Sequence, residues 1–294
     1  MKVVLFCGGL GTRIREHSET IPKPLVNVGN RPIVWHLMRY YAHFGHKDFI
    51  LCLGYGGDLI REFFLNYDEC LSNDFVLSPG RKKIELLASD VQDWRITFVD
   101  TGLNSNIGER LLRVRRFLTG ESAFLANYSD GLSNVPLDRH IADFERLGVI
   151  ASLVAVPPPV SFHSVHSDGD GLVTGFGPMR DAGLLINGGF FCMRPEVFDY
   201  IKRDEDIIEG FQRLSARRQL AVLRYDGFWQ AMDTFKDKMA FDNMHARGEC
   251  PWMLWKQNMP EEQGPTPQSG AGATETADVL LDAKVFSRHQ RPSA

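Results

Sequence analysis

The stretch FCGGLGTRIREHSETIPKPL, residues 6–25, directly follows a short apolar run at the start of the chain. That run, residues 2–7, contains no turn residue and predicts a buried strand. Residues 8–30 are dense in Gly, Pro, Thr and Asn and predict a loop. In an open α/β sheet, ligands bind at the carboxyl ends of the strands. Because glycines there let backbone N–H groups approach phosphate oxygens closely, the stretch predicts a phosphate-binding loop.

Two familiar phosphate loops do not fit this stretch. A dinucleotide fingerprint requires G-x-G-x-x-G, and Gly9 and Gly11 supply the first pair, but Ile14 stands at the third position. A P-loop has the pattern G-x-x-x-x-G-K-[ST]. Counted from Gly8, the second glycine of that pattern would fall at position 13, where this chain has Arg13. The remaining interpretation is a tight glycine turn at the end of the first strand.

Two cations accompany the glycines. Arg13 offers a planar fork of donors that suits phosphate, and Lys23 offers a point charge. Pro22 and Pro24 flank Lys23 and restrict its backbone, so less entropy is lost in placing it. The alternative is an ordinary glycine turn with a solvated Arg and Lys. The joint presence of two cations and the stiffening prolines favours the anion site.

Strand-like and helix-like runs alternate through the first half of the chain. Residues 2–7, 48–53, 94–100, 123–128 and 150–156 predict strands, and residues 32–44, 59–67 and 137–147 predict helices. This alternation is typical of a parallel sheet covered on both faces. We therefore predict a Rossmann-like α/β fold with a mostly parallel sheet and helices on both faces.

The second half has a mixed character. Residues 162–166, 172–176, 185–193 and 220–225 predict strands, and residues 196–202, 205–216 and 234–247 predict helices. No linker-like composition interrupts the chain, so we expect one domain over residues 1–256, with halves of about 1–155 and 156–256. From residue 257 the composition shifts to Pro, Gln, Gly, Ser, Thr and Ala, which predicts a disordered tail over 257–294.

The overall composition excludes several classes of partner. The chain has 294 residues, 44% hydrophobic and 24% charged, and a formal net charge of −4, so no global basic field would collect nucleic acid. The longest apolar runs are too short to cross a bilayer, so no membrane association is expected. The five cysteines are scattered without CxxC spacing, which predicts reduced thiols and a cytoplasmic location.

Two aspartates follow predicted strands. Asp130 lies in NYSDG after the strand over 123–128, which should run parallel to the first strand. Asp233 lies in GFWQAMDTFKDK before a predicted helix, where either Asp233 or Thr234 would suit a helix cap. Each aspartate alone is typical of a cap or a turn. Two aspartates facing a polyphosphate would instead suit Mg²⁺, which prefers carboxylate, phosphate and water oxygens.

The chain resembles the sugar-1-phosphate nucleotidyltransferases. GGLGTR followed by PKP resembles the signature of that family. The segments GNRPIVWHLMRYYAHFGHKDFILCLGYGG, VDTG, INGGFF, GFWQAMDTFKDK and PWMLWK resemble its branch of glucose-1-phosphate cytidylyltransferases, in order, from residue 1 to about residue 256. The resemblance implies a nucleotide-binding sheet with a smaller sugar-binding part. It also implies a Mg²⁺-dependent reaction of CTP with a hexose 1-phosphate, giving a CDP-sugar and pyrophosphate, in a homo-oligomer.

The resemblance also implies roles for individual residues. Arg13 and Lys23 would be catalytic, with Arg13 neutralising the β- and γ-phosphates and Lys23 near the α-phosphate. Asp130 and Asp233 would bind the metal. The nucleotide would be bound by Gly8, Gly9, Gly11, Thr12, Arg13, Thr101, Gly102 and Arg110. The sugar phosphate would be bound by Arg180, Asn187, Gly188, Gly189 and Glu209.

The chain departs from the family pattern on the acceptor side. The family has Glu-Lys-Pro soon after the strand that here ends at Phe176, whereas this chain reads GFGPMRDAGLL and has no lysine between 84 and 201. Arg180 is the nearby cation that would replace that lysine, with a planar geometry. Ser129 also stands where the family has glycine. Three alternatives therefore stay open: a different sugar phosphate, UTP or dTTP in place of CTP, and a catalytically weak homologue that binds nucleotides as a regulatory or partner subunit.

Overall fold

The computed structural model describes residues 1–9, 21–81, 83–159 and 162–257. The predicted tail lies outside these residues from position 258 onward. The strands, in chain order, are β1 (Val3–Phe6), β2 (Asn27–Val28), β3 (Arg31–Pro32), β4 (Asp48–Leu53), β5 (Phe75–Leu77), β6 (Ile84–Leu86), β7 (Arg95–Asp100), β8 (Phe124–Tyr128), β9 (Gly131–Ser133), β10 (Ala151–Val156), β11 (His163–Ser167), β12 (Val173–Pro178), β13 (Ile186–Asn187), β14 (Phe191–Met193), β15 (Leu220–Arg224) and β16 (Trp229–Ala231).

The helices lie between these strands. They are α1 (Ile33–His43), α2 (Gly57–Leu65), α3 (Ile107–Val114), α4 (Leu137–Leu147), α5 (Ile207–Ala216), α6 (Phe235–Ala246) and α7 (Leu254–Gln257). The prediction of an α-helix over 196–202 is wrong. The segment instead forms a 3-10 helix over Pro195–Asp199, which begins with a proline. No helix among the described residues is long and apolar enough to cross a membrane.

One mixed sheet organises the chain. Strands β8, β1, β4 and β7 are neighbours in that order and pair in parallel, as the alternating pattern predicts. On the other side, β14 pairs with β8 and β10 in antiparallel fashion, and β15 pairs with β10 in parallel. Strands β13 and β14 pair with different parts of the same edge of β10, so together they occupy one position in the sheet. The sheet therefore has seven strand positions. Strands from both halves of the chain therefore share one sheet.

Side chains of the central strands alternate between two cores. Val3, Leu5 and Cys7 face the core that contains α1 and α4, whereas Val4 and Phe6 face the core that contains α3 and α5. All five side chains are buried. This period-two alternation with apolar residues on both sides is the pattern of a strand covered on both faces. The predicted helices on both faces are thus confirmed.

The strand predicted over 185–193 is broken in the middle. Gly189 has φ +78° and Phe190 has φ +51°, so the backbone turns out of the sheet between β13 and β14. Phe190 is strained there, but its N–H donates to Asn127 Oδ1 at 2.9 Å, and its ring stacks on Tyr41. The break places Asn187, Gly188 and Gly189 in a loop at the sheet.

Candidate active site

Pairing of β9 with β16 brings the two predicted metal aspartates together. The two strands pair in antiparallel fashion with Ala231 opposite Gly131, and the N–H of Met232 donates to the carbonyl of Asp130 at 2.8 Å. Asp130 immediately precedes β9 and Asp233 follows β16, so this register sets them side by side. The pairing joins residues about a hundred positions apart.

Lys23 lies between the two carboxylates. Its Nζ donates to Asp130 Oδ2 at 2.5 Å and to Asp233 Oδ1 at 2.7 Å. The Lys23 side chain is only 14% exposed, whereas Asp130 and Asp233 are 29% and 46% exposed. The three groups form one partly buried cluster, which we call the Lys23–Asp cluster. The sequence predicts these residues in one place, and the structure brings them into direct contact.

The prolines around Lys23 fix its backbone, as the sequence suggested. Lys23 begins a 3-10 turn over Lys23–Leu25, in which Leu25 N–H donates to the Pro22 carbonyl at 2.8 Å. Pro22 packs against Gly56, where a Cβ would lie 2.8 Å from the Pro22 ring. Gly56 also has φ +61°, which favours glycine. Local rigidity and one glycine contact thus position the ammonium group.

The carboxylates maintain the charge on Lys23. Burial disfavours the ammonium form, but the charges of Asp130 and Asp233 and their hydrogen bonds outweigh it and raise the Lys23 pKa. Lys23 therefore remains a cation at neutral pH. A protonated amine held by two carboxylates is a fixed positive charge near the carboxyl end of β8.

Asp233 does not cap helix α6. Thr234 is the N-cap: its hydroxyl accepts from the Asp237 N–H, and Asp237 Oδ2 accepts from the Thr234 N–H, forming a capping box. This assignment answers the question that the sequence left open between Asp233 and Thr234. The Asp233 carboxylate is left to face Lys23.

Arg110 contacts Gly8, the first residue of the predicted phosphate-binding loop over residues 8–30, which we call the glycine loop. Its guanidinium is buried and donates to the carbonyls of Gly8 at 2.9 Å, Leu53 at 3.1 Å and Leu103 at 3.3 Å, and to Thr101 Oγ1 at 2.8 Å. A Cβ on Gly8 would lie 2.0 Å from Arg110 Nη1. The guanidinium thus joins the ends of β1, β4 and β7.

Thr101 and Gly102, two predicted nucleotide contacts, belong to this same structure. Thr101 is buried and its hydroxyl donates to the Leu53 carbonyl at 2.7 Å. Gly102 has φ +84°, and its N–H donates to Asp100 Oδ1 at 2.9 Å. Both residues shape the turn after β7. Their contact with a nucleotide stays a prediction.

The predicted sugar loop is held on two sides. Asn187 Oδ1 accepts from the Gly189 N–H at 2.9 Å, and Trp229 Nε1 donates to the Gly188 carbonyl at 2.8 Å. Asn187 Nδ2 donates to the hydroxyl of Tyr128 at 3.2 Å. The loop therefore contacts β8 and β16, the strands next to Asp130 and Asp233.

The remaining predicted residues lie elsewhere or outside the described chain. Arg180 follows β12, and its guanidinium donates to the Asp226 carbonyl at 3.2 Å. Glu209 is exposed in the first turn of α5. Gly9 is exposed just after β1. Gly11, Thr12 and Arg13 lie outside the described residues.

The Lys23–Asp cluster fits a divalent cation in its donor chemistry. Two carboxylate oxygens already lie within 2.7 Å of one cationic nitrogen, so the pair is arranged to hold a positive charge. Carboxylate oxygens are ligands that Mg²⁺ prefers, and Mg²⁺ typically takes one or two of them together with substrate phosphates and water. Within the described ranges, no group of three or more His, Cys, Asp or Glu could hold a metal alone. The pair therefore suits a metal that arrives with a phosphate substrate.

Three residues that shape the site were not predicted from the sequence. Gly54 lies where a Cβ would be 2.7 Å from the Gly8 carbonyl, and Trp229 and Tyr128 both hold the Asn187 loop. Tyr128 stands two positions before Asp130 in NYSDG, and this closeness to a predicted metal ligand is its one signal in the sequence. Trp229 depends on a long-range contact that no local pattern indicates.

Comparison with known proteins gives a consistent picture. No family model matches the chain. The chain is 38% identical over 260 residues to glucose-1-phosphate cytidylyltransferase of Salmonella typhi, covering 87% of this chain and 100% of the relative. It is 36% identical over 258 residues to the probable glucose-1-phosphate cytidylyltransferase of Bacillus subtilis, with the same coverage of each.

Solved structures show the same fold. A UDP-glucose pyrophosphorylase complexed with UDP-glucose superposes with a TM-score of 0.62 at 12% identity, over 84% of this chain and 98% of that one. A putative glucose-1-phosphate thymidylyltransferase from Bacillus anthracis gives 0.57 at 16% identity, over 83% and 94%. The two superpositions show the fold, and the two sequence relatives show the family. The chain belongs to the glucose-1-phosphate cytidylyltransferase family of sugar-1-phosphate nucleotidyltransferases.

Proposed function

We propose that this enzyme condenses CTP with a hexose 1-phosphate, glucose 1-phosphate in the first instance, to give a CDP-sugar and pyrophosphate. The observation that carries the proposal is the Lys23–Asp cluster near the carboxyl end of β8. The chain that holds this cluster is 38% identical to a glucose-1-phosphate cytidylyltransferase. In this proposal the half over about 1–155 binds the nucleotide and the half over about 156–256 binds the sugar.

The reaction needs little covalent chemistry from the protein. An oxygen of the sugar phosphate attacks the α-phosphorus in line, the bond from that phosphorus to the bridging oxygen breaks, and pyrophosphate leaves. The nucleophile is anionic at neutral pH, so it requires no general base. Catalysis consists of bringing two anions together and stabilising charge as it develops.

The residues of this chain supply that stabilisation. Lys23, kept protonated by its two carboxylates, places a positive charge for the α-phosphate. Arg110 fixes the backbone of Gly8, from which the glycine loop continues. Asp130 and Asp233 would hold Mg²⁺, which when bound neutralises phosphate charge. Arg13, outside the described residues, is proposed to bind the β- and γ-phosphates.

The acceptor side of the proposal rests on fewer contacts. The Asn187–Gly189 loop is proposed to bind sugar hydroxyls, with Glu209 as an acidic contact. Arg180 is proposed to take the sugar phosphate in place of the family's lysine. We also propose that the protein forms a homo-oligomer, because exposed apolar side chains on the β5–β6 and β11–β12 hairpins, such as Val76, Ile84 and Phe176, offer surfaces for association. The scattered cysteines, none in CxxC spacing, support a cytoplasmic location.

A pyrophosphate-release screen tests the proposal. Four nucleoside triphosphates are crossed with a panel of sugar 1-phosphates in the presence of Mg²⁺. We expect the highest kcat/KM for CTP with glucose 1-phosphate. Turnover with UTP or dTTP, or with another sugar, would move the assignment within the family. No turnover across the panel, with CTP still bound, would instead support a binding subunit.

A further inference from the structure

Tyr128 closes strand β8 beside the sugar loop. It stands opposite Phe6 in the parallel pairing of β8 with β1. Its ring contacts Phe6, with centroids 6.2 Å apart, and meets Phe191 edge to face at 5.5 Å. These two aromatic contacts fix the ring in the core that contains α3 and α5. The hydroxyl at its far end reaches Asn187.

The direction of the Tyr128–Asn187 hydrogen bond leaves one proton available. An amide NH₂ group can only donate, so Asn187 Nδ2 is the donor and the Tyr128 oxygen is the acceptor at 3.2 Å. The phenolic hydrogen must therefore point to another acceptor. Within the described part of the chain, no protein atom accepts it. A half-buried hydroxyl whose hydrogen has no acceptor among the described residues is a hydrogen-bonding group that a ligand can satisfy.

Tyr128 keeps that hydrogen at physiological pH. A tyrosine hydroxyl ordinarily has a pKa of about 10, far above neutral pH. The hydroxyl is therefore a donor and never a phenolate under working conditions. Asp206 is the N-cap of α5, the helix whose first turn contains Glu209.

The loop next to this hydroxyl has fixed geometry. Asn187 Oδ1 is occupied by the Gly189 N–H, and the Gly188 carbonyl is occupied by Trp229. The contact through Asn187 therefore holds the Tyr128 hydroxyl at a loop that is itself held from both sides. A donor fixed in this way can hydrogen-bond an acceptor oxygen at one position of a ligand and disfavour ligands that lack that oxygen.

We propose that Tyr128 is a specificity-determining residue for the acceptor, which donates a hydrogen bond to one hydroxyl oxygen of the sugar 1-phosphate. The inference rests on the proposed transfer of a cytidylyl group to a sugar phosphate. Tyr128 thereby orients the sugar so that its phosphate faces the Lys23–Asp cluster. The residue distinguishes sugars by the presence of that hydroxyl.

The test compares wild type with Tyr128→Phe on glucose 1-phosphate and its 2-, 3-, 4- and 6-deoxy analogues. We expect Tyr128→Phe to raise KM for glucose 1-phosphate about 10-fold, the typical value of one hydrogen bond, while KM for CTP changes less than about twofold. One deoxy analogue should lose a similar factor with wild type and nothing further with Tyr128→Phe. That loss of discrimination at one carbon identifies the hydroxyl that Tyr128 binds.

A matched control separates recognition from folding. Tyr225→Phe removes a hydroxyl that bonds Asn134 at 2.6 Å, away from the sugar loop, so it should lower thermal stability and leave both KM values unchanged. Equal penalties for every deoxy analogue in wild type and Tyr128→Phe would overturn the assignment while transfer by wild type upheld the function. Absence of transfer by wild type would overturn both.

Discussion

Lys23 Nζ lies 2.5 Å from Asp130 Oδ2, and the same nitrogen lies 2.7 Å from Asp233 Oδ1. A cation from the N-terminal loop thus occupies the space between two carboxylates that are suited to a metal. The ion pairs with Lys23 hold the two carboxylates close together, in an arrangement that also suits another cation. A divalent cation entering the site must compete with, or displace, the ammonium group.

Removing the Lys23 charge should lower the rate of catalysis and raise the affinity of the two carboxylates for a metal. In Lys23→Met, we expect kcat to fall at least 10²-fold, because a preorganised positive charge is lost from the reaction centre. In the absence of nucleotide, Mn²⁺ should bind more tightly to Lys23→Met than to wild type, because no ammonium competes for the carboxylates. Isothermal titration with Mn²⁺ measures the second effect. Lys47→Met, which breaks the exposed pair with Asp93, serves as the control and should change neither quantity.

Neighbouring residues at the start of α6 should give opposite phenotypes. Thr234→Ala removes the N-cap and should cost about 1 kcal/mol in the free energy of unfolding while activity persists. Asp233→Asn keeps the capping box and should lose activity with little change in stability. Urea unfolding and pyrophosphate release measure the two properties. Loss of activity in Thr234→Ala, with Asp233→Asn fully active, would reverse our assignment.

Gly8 and Gly9 should differ sharply in their tolerance of a methyl group. Gly8→Ala places a Cβ 2.0 Å from the Arg110 guanidinium, so either the loop or Arg110 must move. We expect a loss of at least about 2 kcal/mol in unfolding free energy, in the range of overpacked cores and broken buried hydrogen bonds. Gly9→Ala is the matched control, because no atom of the residues that the structure describes lies within 4 Å of its added Cβ, and its stability should stay within about 0.5 kcal/mol. Equal stability of the two variants would contradict the role of Arg110.

His36 should make stability fall in acid. Trp252 Nε1 donates to His36 Nδ1 at 3.3 Å, so the hydrogen of the neutral ring is on Nε2, which donates to the Val28 carbonyl at 2.9 Å. Burial, together with the positive charges of His245 and Lys256, lowers the His36 pKa to about 4. The unfolded state binds the proton first, so this contribution is complete above pH 6.5 and is lost as pH falls towards 4.

The size of that loss is measurable. A shift from 6.5 to about 4 corresponds to about 3 kcal/mol of unfolding free energy. Denaturant unfolding of His36→Gln between pH 4 and 6.5 should show a flatter dependence on pH than wild type. His140, whose pKa is also lowered to about 4 by burial, should contribute separately, so His140→Asn should flatten the curve further. An unchanged slope in both variants would contradict the burial argument.

Much of the fold follows from local pattern. Apolar strands alternating with amphipathic helices predict a parallel sheet with two covered faces, and β1, β4, β7 and β8 form it. The break between β13 and β14 was not predictable, because the positive φ of Phe190 depends on Asn127, sixty-three positions away. Local sequence does not report such a partner.

The candidate site was predictable in a similar measure. Asp130 and Asp233 were expected at one place, and strand pairing brings them there. The four protein acceptors of Arg110 were not expected, because they come from the ends of three strands that meet only in the folded sheet. Recognition of glycine-loop residues depends on motif; recognition of what supports them depends on tertiary structure.

The most direct test of the account is Mn²⁺ binding by the protein in the presence of CTP, measured by the loss of the free Mn²⁺ electron paramagnetic resonance signal beyond the loss that CTP alone causes. If Asp130 and Asp233 form one metal site with the nucleotide phosphates, wild type should bind one Mn²⁺ per chain. Asp130→Asn and Asp233→Asn should each weaken that binding at least tenfold. If either substitution leaves Mn²⁺ affinity unchanged, the two carboxylates do not share a metal and the central claim is contradicted.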